Sequence, residues 1–220
     1  ILGKYFYQNR TNVYYRDLSP HLINALISTE DERFLEHPGI DLKGTFRAVA
    51  YLGSKGGAST ITQQLAKMLF SERPRTKLER IKQKLQEWII AIRLERQYTK
   101  NEILTMYLNR FDFVNNAVGL KSASQVYFNT TPDSLSINEA AVLVGMAKNP
   151  SLFNPNRRLE LSTQRRNVVL GQMVRNEVLE EEVFDSLKQL PFVYKPVLEY
   201  LSSFCKEEGM YQGCPNHETI

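Results

Sequence analysis

Apolar positions recur along most of this chain at helical spacing, and strand-like alternation is scarce. Leu22, Ile23, Leu26 and Ile27 form one stripe. Ser19-Pro20 ahead of them supplies a cap and a first helical residue, so a helix should run from there to about Thr29. Asp41 can cap a second helix carrying Leu42, Phe46, Val49 and Tyr51, which the loop Gly53-Ser54-Lys55-Gly56-Gly57 breaks. Residues 76 to about 97 read as one long helix with apolar positions Leu78, Ile81, Leu85, Trp88, Ile89 and Ile92. Thr99-Lys100-Asn101-Glu102 and Ser136-Ile137-Asn138-Glu139 are capping boxes, opening helices through Ile103 to Leu108 and Ala140 to Ala147. Gln164 to Met173 and Glu180 to Leu187 are further amphipathic helices. Residues 1–18 have no clear period, and the pattern fades beyond Pro191. The fold class this predicts is mainly α, with one domain over 19–190 between an N-terminal remainder (1–18) and a C-terminal linker or cut end (191–220).

Two stretches do not serve a core. At Ser28-Thr29-Glu30-Asp31-Glu32-Arg33-Phe34-Leu35-Glu36-His37-Pro38-Gly39 the first apolar run turns into a knot of carboxylates, a histidine and a Pro-Gly turn. A solvated helix end would read this way, and so would a site that must accept a proton. Asp31 and Glu32 stand close enough to Glu30 to disfavour its ionised form. In the second stretch, a glycine loop leads into Ala58-Ser59-Thr60-Ile61-Thr62-Gln63-Gln64-Leu65-Ala66-Lys67. Hydroxyls opening a helix leave backbone N–H groups free for an anion. Thr60, Gln64 and Lys67 fall on one stripe, where a hydroxyl, an amide and an ammonium can meet sugar and phosphate together.

Charge adds to this picture. The chain carries +4 overall, yet residues 67–100 hold ten Lys or Arg against four acids, a net +6 that leaves −2 for the rest. Such a segment suits an anionic partner or is a solvated helix face. Hydrophobic residues make up 42% of the chain, ordinary for a globular protein. No run is long enough to cross a bilayer, so Ile1-Leu2-Gly3 is expected to be the cut end of a longer protein with any anchor upstream. Two cysteines, Cys205 and Cys214, do not fix a compartment.

Five motifs in order resemble the glycosyltransferase domain of the peptidoglycan polymerases, the transglycosylase half of class A penicillin-binding proteins. They are Glu30-Asp31-x-x-Phe34-x-x-His37-x-Gly39, Gly57 to Lys67, Lys84-x-x-Glu87, Lys100-x-x-Ile103-Leu104-x-x-Tyr107-Leu108-Asn109 and Arg165-Arg166-x-x-Val169-Leu170. The likeness runs from about Ser19 to Met173. One departure is visible: Gln83 stands where the third motif usually begins with Arg, and Arg75, Lys77 or Arg80 could supply that charge.

The resemblance implies a lysozyme-like helical body with a smaller, membrane-facing apolar lobe around residues 41–56. It implies polymerisation of lipid II, with inversion and release of polyprenyl diphosphate, on the outer face of the cytoplasmic membrane. Glu30 would be the base. Lys67 and Lys84, with Arg75, would bind the diphosphate. Glu87 would orient those cations or hold a divalent metal such as magnesium on the diphosphate, and no organic cofactor is implied. Asp31, Phe34, His37, Ser59, Thr60, Gln63 and Gln64 complete the expected substrate site. His37 could shuttle a proton, but packing and hydrogen bonding that fix the loop of Glu30 is the preferred reading. Expected partners are lipid II, the growing glycan and the membrane surface, with room for a fused transpeptidase domain and other cell-wall proteins, and no nucleic acid. Ser203-Phe204-Cys205-Lys206 matches the Ser-x-x-Lys spacing of penicillin-binding acyl enzymes but has no companion motif here. Two other readings compete. A glycan hydrolase would also use two carboxylates but has no diphosphate to hold. A non-catalytic anion binder has no use for either glutamate.

Overall fold

The computed structural model describes residues 9–10, 12–50, 59–70, 74 and 76–191. Arg75, Tyr51, the glycine loop with Ala58, both cysteines and Ser203 to Lys206 lie outside the described residues, as do the side chains of residues 48–50. Among the described residues the protein is mainly helical, as the periodicity predicts: α1 (Pro20–Glu30), α2 (Leu42–Ala50), α3 (Ile61–Phe70), α4 (Lys77–Gln97), α5 (Lys100–Arg110), α6 (Leu120–Phe128), α7 (Ile137–Lys148), α8 (Leu159–Arg175) and α9 (Glu181–Gln189). Two short parallel strands, β1 (Asn9–Arg10) and β2 (Ala117–Val118), pair Asn9 with Ala117 and Arg10 with Val118.

Local chemistry sets most helix starts. Thr99 and Ser136 accept from the N–H groups of Glu102 and Glu139, and those carboxylates accept from the cap N–H in return. Thr76 and Glu79 do the same for α4. Asp41 caps α2 through the N–H of Gly44 at 3.0 Å. Ser19 differs from expectation. Its hydroxyl makes no cap bond and donates to the carbonyl of Leu135 at 3.0 Å, tying the start of α1 to the loop before α7. Helix α6 carries no cap side chain. It starts at Gly119, where φ is +83° and a Cβ would meet the Asn109 carbonyl oxygen at 2.8 Å.

The core has two connected halves. In one, α1 packs on α7 and α8 through Leu22, Ala25, Leu26, Leu143, Val144, Val169 and Leu170. In the other, α3 packs on α4 and α5 through Ile61, Leu65, Ala66, Ala91, Ile103 and Leu104. Asn109 fastens the N-terminal segment, its side chain bonding both the N–H and the carbonyl of Val13.

The long helix α4 is where the stripe behaves unexpectedly. Its buried residues are Glu87, Ala91 and Leu94. Leu78, Ile81, Leu85 and Ile89 face outward at 79%, 60%, 55% and 54% exposure. The apolar face of its first three turns is not part of this core.

Candidate active site

The loop between α1 and α2 is built as a rigid block. Gly39 takes φ +94°, and a Cβ there would meet the carbonyl oxygen of Ala91 at 2.9 Å, so the Pro-Gly turn closes directly onto α4. Its N–H donates to Nδ1 of His37, which leaves Nε2 to donate to the Asp31 carboxylate at 2.9 Å. Asp31 also accepts the N–H of Ile61, the first residue of α3, at 3.0 Å. Thr60 caps α3 and donates its hydroxyl to the Gly39 carbonyl. Lys100 reaches the His37 carbonyl at 2.7 Å and the Glu95 carboxylate at 2.8 Å, with its ammonium 4.4 Å from the Phe34 ring centre. Thr62 donates to Glu95 as well.

Asp31, Phe34, His37 and Thr60 are therefore buried and, apart from the packed ring of Phe34, bonded to protein groups. They form a bonded wall next to the end of α1, in which both ring nitrogens of His37 have partners. Both oxygens of Asp31 are engaged, by the His37 ring and the N–H of Ile61. Glu32 turns to Arg33 and Arg47. Gln63 is also buried, and neither end of its amide has a partner among the described residues.

Glu30 closes α1 at its C-terminal residue, half-buried. Its Oε2 accepts from Nε2 of Gln64 at 2.8 Å, and Oε1 has no hydrogen bond among the described residues. The amide oxygen of Gln64 accepts from the Tyr107 hydroxyl at 3.1 Å. Burial pushes the Tyr107 phenol well above the usual tyrosine range, and the negative charge of Glu30 adds to this, so it stays a donor. From α8, burial pulls the Arg165 guanidinium below its usual range, while the Glu30 carboxylate works the other way. The stem of Arg165 lies over Gly145 of α7, where a Cβ would meet its Cγ at 3.0 Å.

At the start of α3 the second carboxylate gathers. Lys84 donates to the Ser59 hydroxyl at 2.8 Å and to Glu87 Oε2 at 3.0 Å. Glu87 is 4% exposed, whereas the Lys84 side chain is 40% exposed. Lys67, on the last turns of α3, is exposed and makes no ion pair with a described residue. Ser59 and Gln64 are five residues apart in sequence, so α3 brings Glu30 and the Lys84–Glu87 pair to its N-terminal half. Lys77 and Arg80, offered above for the charge missing at Gln83, are exposed on the first turn of α4. Tyr107 and Arg165 stood in the quoted motifs without a role. The available signal for Tyr107 is its place in an apolar helix stripe, since a buried phenol needs a hydrogen-bond partner.

A family model described as Transglycosylase matches residues 1–174. The chain belongs to the transglycosylase family. This transglycosylase is 41% identical to penicillin-binding protein 1A of Escherichia coli over 192 residues, covering 86% of the chain and 22% of that relative. It is 39% identical to penicillin-binding protein 2a of Streptococcus pneumoniae over 194 residues, covering 86% of the chain and 26% of the relative. The chain thus spans about a quarter of the length of these curated relatives. The crystal structure of penicillin-binding protein 1A from Haemophilus influenzae superposes with a TM-score of 0.54 at 21% identity, covering 97% of the transglycosylase chain and 23% of that chain. That likeness is one of fold, and the mainly helical, lysozyme-like body expected from the sequence stands.

Proposed function

We propose that this transglycosylase polymerises lipid II into β-1,4-linked glycan. The 4-hydroxyl of the acceptor sugar gives its proton to Glu30 as its oxygen attacks the anomeric carbon of the donor chain. The bond from that carbon to the diphosphate breaks on the opposite face, giving inversion. The departing polyprenyl diphosphate is met by Lys84 and Lys67, with Arg75 as a third cation, because positive charge aimed at the leaving group is worth most where it develops. Glu87 orients Lys84. The observation that carries this reading is the arrangement at the N-terminal half of α3: Gln64 holds a carboxylate with one oxygen bonded and the other unbonded among the described residues, and Ser59 meets an ammonium held by a buried carboxylate.

Among the described residues no group of three His, Cys, Asp or Glu is placed to hold an ion. Glu87 offers a single carboxylate already paired with Lys84. A divalent cation such as magnesium would reach it as a companion of the diphosphate. The hydrolytic reading finds no support among the relatives, which are penicillin-binding proteins.

The membrane surface is the proposed platform. None of the helices among the described residues is long and apolar enough to cross a bilayer. The outward stripe of α4, with exposed Phe46 and Leu42 on α2 and Phe70 on α3, can instead rest on the lipid that carries the substrate. The outer face of the cytoplasmic membrane is the proposed working place. A fused transpeptidase and other cell-wall synthesis proteins are the partners that the much longer penicillin-binding relatives suggest.

The test is polymerisation of purified lipid II in detergent with a divalent cation, beside Glu30→Gln. Glycan chains are expected from the parent, with the variant slower by about 10²–10⁴-fold. Equal activity of the two would remove Glu30 from its role.

A further inference from the structure

We infer that Tyr107 is a positioning residue that fixes Gln64, and through it the Glu30 carboxylate, whose Oε1 is unbonded among the described residues and serves as base. This rests on the glycosyl-transfer reading of Glu30. A glutamine amide can be held either way round, and the two orientations have opposite effects on a neighbouring carboxylate. An ionised carboxylate only accepts. The Gln64 NH₂ group facing Glu30 stabilises it, whereas the carbonyl in its place would repel it. Glu30 selects the NH₂ end, because its carboxylate only accepts, and Tyr107, whose hydroxyl can donate or accept, holds the opposite end in place. Its hydroxyl meets the carbonyl end of the amide at 3.1 Å, and the NH₂ end then points to Glu30 Oε2 at 2.8 Å. The phenol is 1% exposed, and burial holds it in its protonated, donating form. The three groups come from α5, α3 and α1, so none could be oriented by its own helix alone. With Oε2 occupied, the acceptor's proton is received at Oε1. Arg165 is the charged group on α8 whose field acts on the same carboxylate, and among the described residues its hydrogen bond goes to the Gly145 carbonyl and not to the relay.

Tyr107→Phe removes one hydroxyl from a packed ring and should leave the melting temperature nearly unchanged. The expected result is a fall in kcat of about 5–30-fold with KM for lipid II within about twofold, the signature of an interaction that serves the transition state. Because Tyr107 acts only through the amide, Tyr107→Phe should cause little further loss in a Gln64→Leu background. A substrate-free measurement accompanies it: the side-chain amide protons of Gln64, identified by their loss in Gln64→Leu, should exchange with solvent more than about tenfold faster in Tyr107→Phe. An unchanged kcat in Tyr107→Phe, or losses that multiply in the double variant, would overturn the inference. If the parent makes no glycan, the glycosyl-transfer reading fails by itself. Amide exchange then still decides the relay: unchanged exchange overturns it, and accelerated exchange upholds it.

Discussion

Helices α4 and α7 are near inversions of one another. In α7 the run Ala140 to Met146 is buried on every side, and the helix is clasped by α1 and α8. In α4 no residue before Glu87 is buried, the first buried side chain is that carboxylate, and Leu78, Ile81, Leu85 and Ile89 look outward. Both helices obey the same rule that apolar surface seeks a partner. The partner of α7 is the rest of this chain. The stripe of α4 has none within the described residues, because its opposite face is committed to holding Lys84 and Ser59 beside α3. A helix can thus be amphipathic and yet turn its polar side inward when that side carries the chemistry.

The strongest way to break the contrast is Glu87→Met. If the inward carboxylate serves the reaction, polymerisation should fall by about two orders of magnitude or more while thermal stability holds or rises. Lys84 is solvated enough to stand without its partner. A large loss of melting temperature would make Glu87 a structural residue instead. On the other helix, Leu143→Ala should cost about 2–5 kcal/mol of stability by chemical denaturation, since its site is fully enclosed. A cost below about 1 kcal/mol would mean α7 is not the core element described. The smallest expected effect on stability is the most telling. Ile81→Gln with Leu85→Gln should change folding free energy by no more than about 0.5 kcal/mol. Binding to vesicles with anionic lipid should nonetheless weaken several-fold. Unchanged vesicle binding would leave the stripe without its proposed partner.

Much of this was legible in the residues. The capping boxes at Thr99 and Ser136 announce α5 and α7 because a cap is local chemistry, settled within four residues. The ordered motifs bring Glu30, Lys84 and Glu87 forward for the same reason: their identity and spacing lie in the chain. The resemblance implies substrate roles for Asp31, Phe34, His37, Thr60 and Gln63, and the fold buries all five. Residue type cannot tell a carboxylate that meets a ligand from one that bonds a helix N-terminus thirty residues away. Helix α6 escaped notice because Gly119 starts it, a backbone signal that needs the approach of Asn109 to be understood.

By itself the sequence determined the helical class, the places where most helices begin and the family's motifs, all of which depend on short-range propensity and residue identity. The tertiary structure alone decided which face of α4 turns inward and which oxygen of Glu30 is bonded by Gln64. Both depend on groups brought together from separate helices, Tyr107 with Gln64 and Ser59 with Lys84, and no local pattern encodes a meeting between distant parts of a chain.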